Sequence, residues 1–238
     1  MSYIVDIDNP WYPYTKVQEA NIGLSDLGEI PRKLCDYFLD MPNSATGYTP
    51  KDDKTYPRAR FWKYLFYDTD HPLDKQLPTP KQKMNLLFNP NKATEPPTEK
   101  GYRLIPQIYV KQAQTEAQTR VHIYLGRMHP LDAYKVSYSV VFDIFSHYAY
   151  ENNTKDTEMS RTIGLEASIF EALNGVNMVG IGTFFCDRKK HPDCGSQVMH
   201  DETNVVRRLV MAFEVATTDT AKQNDLARIK LPTGGYFS

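Results

Sequence analysis

Three groups of residues in this chain carry side-chain types that chemistry uses. Cys186, His191, Cys194 and His200 are the ligand types of a Cys₂His₂ zinc site, with four, two and five residues between successive members. Zinc sites of that kind hold their ligands as two tight, well-separated pairs. The looser spacing here reads instead as a polar loop over 187–201 between two strands, with Cys186 ending a buried strand, so no metal is expected. A second group, Arg58, Arg60, Trp62, Lys63, Tyr64 and Tyr67, interleaves cations with rings as single-strand nucleic-acid grooves do. Asp52, Asp53, Asp68 and Asp70 flank it and cancel its charge. At a period of two, Trp62, Tyr64 and Phe66 share one face, which is also what a strand or a subunit contact requires. The third group, Asp143, His147, Glu151 and Glu166, has the types for metal-dependent hydrolysis. No HExxH, GxSxG, P-loop or dinucleotide glycine pattern accompanies it, and Gly180-Ile181-Gly182 is too short to cradle a phosphate. No catalytic or cofactor-binding residue is therefore assigned, and the chain is not expected to be an enzyme.

The elements that would position these groups centre on 134–182. Residues 134–146 alternate, with Val136, Tyr138, Val140, Phe142 and Ile144 on every second position, as a strand with one face in a core does. After a polar turn over 152–157, the period becomes helical, through Met159, Ile163, Ala167, Phe170 and Leu173 flanked by Leu165 and Ile169, and Asn174-Gly175 forms its cap. Phe170 and Leu173 are expected to face the sheet. A further strand is expected over 178–186, and a last one over 205–215. Residues 104–110 and 120–125 flank a polar turn and predict a hairpin. Upstream, Leu27, Ile30, Leu34, Phe38 and Met41 form one stripe, Pro31 is tolerated in a first turn, and Pro42 follows, which predicts a helix at about 30–39. Two short apolar runs, 56–67 and 83–88, lie among loops. The tetrapeptide His71-Pro72-Leu73-Asp74 recurs as His129-Pro130-Leu131-Asp132 without matching surroundings, so both copies read as turns.

The fold class that follows is α+β, an antiparallel or mixed sheet with helices mainly on one face, plus long loops and extended terminal arms. One domain is expected, with an N-terminal arm over 1–21, a loop-rich insertion over 43–100, the core sheet and helix over 101–216, and a C-terminal arm over 217–238. A net charge of −1 supplies no attractive field for nucleic acid. Three cysteines are too few for a disulfide framework, and the first residues are acidic where a secretory signal would be basic, so an intracellular, soluble product is expected. Sixteen prolines and sixteen tyrosines suggest ordered arms with aromatic anchors. Trp11, Tyr12, Tyr14, Trp62, Tyr64, Tyr236 and Phe237 are the residues expected to contact a subunit or partner.

Taken in order, the segments at 103–109, 136–147, 160–175, 179–183 and 207–215 resemble the neck and tail-completion proteins of tailed bacteriophages, and are most similar to the tail-terminator group. That resemblance covers about the last 140 residues and the helix near Ile30, and it rests on element order, since the family has no catalytic signature. It implies a small α+β subunit in a cyclic homo-oligomer, generally a hexamer, located in the virion between head connector and tail tube. Other neck proteins and the tube protein would be its partners, DNA would pass through without specific binding, and no membrane or cofactor would be involved. The aromatic N-terminal arm, the 43–100 insertion and the C-terminal arm depart from small terminators, which leaves a stopper or adaptor ring open. Nucleic-acid binding through 58–67 and metal-dependent hydrolysis are the alternatives from other classes.

Overall fold

The computed structural model describes residues 24–89, 100–107, 117–131, 135–151, 159–178, 181–200 and 203–216. The chain enters through a 3₁₀ turn, Leu24–Glu29, into helix α1, Ile30–Leu39, whose early Pro31 costs no helical hydrogen bond. Asp40 ends it in the left-handed conformation, with φ of 50°. The region read as loops holds two helices, α2 (Pro57–Phe66) and α3 (Pro80–Leu86), each opening on proline; Thr79 and Gln82 form a reciprocal capping box at α3. His71-Pro72-Leu73-Asp74 is a turn as expected, with Pro72–Asp74 a 3₁₀ turn.

Among the described residues seven strands follow: β1 (Leu104–Ile105), β2 (Thr119–Pro130), β3 (Lys135–His147), β4 (Asn177–Met178), β5 (Gly182–Phe185), β6 (Gly195–His200) and β7 (Asn204–Ala216). Two helices, α4 (Tyr148–Glu151) and α5 (Arg161–Leu173), lie between β3 and β4. The sheet order is β1-β2-β3-β7-β5-β4, and β6 shares the outer edge of β7 with β5. The long pair β3 and β7 runs from Lys135↔Ala216 to His147↔Asn204 and forms the spine. Helices α1, α2 and α5 all pack on one face, so the class is α+β as expected. Rows such as Ile123↔Phe142↔Leu209 point into that layer and meet Leu34, Phe38, Phe61, Leu65, Leu165 and Ile169.

Several local expectations are corrected. The predicted hairpin does not form, because β1 lies parallel to β2 with Leu104 opposite Val121. Its backbone is already engaged on its other side, where Arg103 donates to the Leu86 carbonyl and Phe88 donates to Leu104. The single strand expected over 178–186 is a hairpin of β4 and β5, bent at Gly182, whose φ of +119° no residue with a side chain adopts easily. The polar loop expected over 187–201 contains β6. From 135 onward the expected strand does form, as β3, but both of its faces are buried, as befits a central position.

Helix α5 shows the correction with the clearest physical cause. Leu165, Ile169, Ala172 and Leu173 face the core, while Met159 just before the helix, and Ile163 and Phe170 on it, are exposed at 40%, 37% and 37%. Phe170 was expected inside. Both faces repeat apolar residues at helical spacing, so the period alone cannot choose between them. Gly164 decides, because its bare Cα lets the Tyr64 ring of α2 approach within a distance that any Cβ would block.

Buried cations complete the helical layer by saturating helix C-termini. Arg161 donates to the carbonyls of Tyr64 (2.7 Å), Tyr67 (2.6 Å) and Thr69 (3.0 Å), and Arg103 donates to Leu65 at 2.8 Å. At the end of α1, Lys83 donates to Leu39 at 3.2 Å and the Trp62 indole donates to Phe38. Desolvation lowers the Lys83 pKa to about 8.

Candidate functional site

The face of the sheet turned away from the helices carries polar residues in register. Because successive strand residues point to opposite sides, Asp143 and Arg208 lie on this outer face while their neighbours Phe142 and Leu209 enter the core. Arg208 donates through Nε to Asp143 Oδ1 at 2.7 Å and through Nη2 to Oδ2 at 2.9 Å, a bidentate pair. Tyr124 closes the triad, donating to Oδ2 at 2.7 Å and accepting from Arg208 Nη2 at 3.0 Å. The hydrogen bond to Asp143 raises the Arg208 pKa, and burial with the Asp143 bond raises that of Tyr124. His122 sits beside Asp143 in register, its Nδ1 3.1 Å from the Gln107 carbonyl, and desolvation lowers its pKa to about 4.

Above this triad opens a cleft of about 450 Å³, walled by Arg127, Arg188, Ser139 and Gln197 and floored by Val141 and Val210. A register shift between Leu125 and Met128 lifts Arg127 out of the ladder. Gly126 sits where any side chain would meet Ser139, whose hydroxyl accepts from the Arg127 backbone N–H at 2.7 Å. On the opposite wall Arg188 donates through Nε to the Cys194 carbonyl at 2.9 Å, and its Nη2 lies over Gly195, 3.0 Å from where a Cβ would stand. Asp193, 4.0 Å from Arg127 Nε, is the one acid in the wall among the described residues. The cleft thus presents guanidinium groups on two walls and on its floor, a donor set for a planar oxyanion.

The residues singled out from the sequence are distributed differently. Trp62 and Tyr64, expected at a partner surface, are 0% and 1% exposed because 56–67 is a helix and both rings enter the core. The period of two was misleading, since on α2 every residue but one from Pro57 to Phe66 is buried. The basic groove fails for the same reason. Arg58 is paired with Asp40 at 2.8 Å with both side chains almost fully buried, and Lys63 with Asp52 at 2.7 Å. Trp11, Tyr12, Tyr14, Tyr236 and Phe237 lie outside the described residues.

The hydrolase group does not converge. Asp143 serves Arg208 on the outer face, whereas Glu166 pairs with Arg207 at 3.0 Å on the helical face. Glu151 caps the start of α5, accepting from the Thr162 N–H at 3.1 Å and from its hydroxyl at 2.5 Å. Among the described residues no three of His, Cys, Asp and Glu are placed to hold a metal, and His191 instead contacts the Arg127 carbonyl at 3.0 Å. Tyr124, Arg127, Arg188 and Arg208 belong to none of the three groups that the sequence offers for chemistry. The available signal was Arg207-Arg208 inside an apolar strand, since two successive charges there must serve opposite faces.

No curated protein and no solved structure matches the chain. A sequence model of one family does, over residues 59–212, which runs from α2 through most of β7 and so takes in most of the sheet and both walls of the cleft. That family is named after a gene in a Bacillus phage region, and a match spanning well over half of the chain makes this phage-related protein a member of the YomW family.

Proposed function

We propose that this chain is a structural, non-enzymatic virion protein of a tailed phage, forming the ring at the head–tail junction as tail terminator or joining component. The observation that carries the reading is the exposed edge of β6. Among the described residues β6 pairs with β7 alone, and Ser196, Gln197 and Val198 are exposed along it. An unpaired strand edge is a template for another chain, and a contact between unlike surfaces of identical subunits closes into a ring when its rotation allows. The outward apolar stripe of Met159, Ile163 and Phe170, on the other face, is a second surface suited to burial between subunits. Each carboxylate of the would-be catalytic group is engaged in structural pairing, which favours an architectural role.

In this reading the ring is a cyclic homo-oligomer, generally sixfold, that meets other neck proteins on one side and the tube protein on the other. DNA passes its opening without specific binding, consistent with a net charge of −1, because a lining rich in phosphate contacts would retain the genome. Disrupting the gene is expected to leave DNA-filled heads beside separate tails, or tails of uncontrolled length, with replication normal. Electron microscopy of lysates decides it: joined, complete virions or blocked replication would overturn the proposal.

A further inference from the structure

The exposed edge of β6 and the arginine cleft lie side by side. Register places Gly195 beside Val210 and Gln197 beside Arg208, so these two β6 residues share the cleft face. Ser196 and Val198, beside Leu209 and Arg207, are on the helical face, where Val198 is 46% exposed. A strand added beyond β6 would therefore set alternate side chains next to the arginines and the others next to Val198. Such an occupant needs acids on one face and apolar residues on the other.

One stretch of this chain has that pattern. Residues 3–8, outside the described residues, read Tyr3-Ile4-Val5-Asp6-Ile7-Asp8. At a strand period Asp6 and Asp8 fall on one face with Ile4, and Tyr3, Val5 and Ile7 fall on the other. Four of these six residues are β-branched or aromatic types favoured in strands. β6 is itself six residues long, so the lengths match.

We propose that residues 3–8 of a neighbouring copy add as a strand to the free edge of β6, setting Asp6 and Asp8 against the arginine cleft and Val5 and Ile7 against Val198. The inference rests on the ring reading and names the contact that would close it. The charge state of the cleft is suited to carboxylates. Asp143 already neutralises Arg208, and Asp193 stands 4.0 Å from Arg127, which leaves Arg188 as the least compensated guanidinium. One carboxylate of the incoming pair meets that surplus as a charge-assisted partner. Arg188 is also held in place by the Cys194 carbonyl and by the absence of a side chain at Gly195, so little freedom is lost on pairing.

Hydrogen exchange of the full-length chain at low and high protein concentration tests the contact. Amides of 195–200 should gain protection as concentration rises, lose it on deletion of residues 2–8, and regain it when a synthetic peptide of residues 2–9 is added to the deletion variant. Asp6→Asn with Asp8→Asn should raise the concentration at half-assembly about tenfold or more, the loss expected for a charged hydrogen bond. Arg188→Glu should do the same and be rescued by Asp6→Lys with Asp8→Lys, with circular dichroism confirming that each variant is folded. Protection that persists without residues 2–8 would overturn the contact, and so would protection that is independent of concentration, which would place the strand on its own subunit. A deletion variant that still closes rings would sink this contact and leave the ring reading standing. A full-length chain that stays monomeric at every concentration would remove both.

Discussion

The two faces of the sheet use arginine in opposite ways. On the helical side Arg161 is wholly buried and spends its donors on the backbone carbonyls of Tyr64, Tyr67, Thr69 and Tyr150. Desolvation lowers its pKa, since carbonyl dipoles replace only part of what water gave. On the outer side Arg208 is anchored by a carboxylate, which raises its pKa, and Arg127 is 85% exposed. The same side chain is therefore structural mortar in one layer and an available donor in the other. The difference follows from what each face must do, because helix ends buried without partners are costly whereas an open sheet face can leave donors to solvent or to a ligand.

The sharpest way to break this contrast is to remove one arginine from each face. Arg161→Ala should cost about 3 to 5 kcal/mol in chemical denaturation, because several buried carbonyls lose their donor at once. Arg188→Ala should cost under about 0.5 kcal/mol, as exposed substitutions do. Similar losses from both would erase the distinction. Between these extremes, Ile169→Ala on the inward side of α5 should cost about 2 to 4 kcal/mol and Phe170→Ala on the outward side under about 1 kcal/mol, so a reversed order would return Phe170 to the core.

The two faces should also respond to pH in opposite windows. His122 titrates near 4 when folded against an ordinary 6.5, with Asp143 and Arg120 as its charged neighbours. Between those values the unfolded chain binds a proton that the folded one refuses, so stability present above pH 6.5 falls as pH drops toward 4, by up to roughly 3 kcal/mol at about 1.4 kcal/mol per unit. His122→Phe should flatten that acid limb. Lys83 titrates near 8 against an ordinary 10.5. Here too the unfolded chain holds the extra proton, so stability should rise from pH 8 to 10.5 by a similar or smaller amount, and Lys83→Met should abolish the rise. Denaturation midpoints across both ranges measure these effects.

Local patterns of residues were enough wherever one pattern had one solution. The helix over Ile30–Leu39, with its early proline, the β3 and β7 strands, the left-handed Gly175 after α5 and the α+β class were all legible, because period and capping chemistry are local. Where two readings shared one pattern, only packing chose. In α5 both faces were apolar, and the contact of Gly164 with the Tyr64 ring turned Phe170 outward. In 57–66 aromatic density suggested a strand or a binding surface, whereas burial on nearly every side of α2 made it core. The candidate cleft was the least legible part, since Tyr124, Arg127, Arg188 and Arg208 come from a bulge, a turn and two strands far apart in sequence. What brings them together is the β2-β3-β7-β6 register, a property of long-range hydrogen bonding that no local stretch of residues encodes.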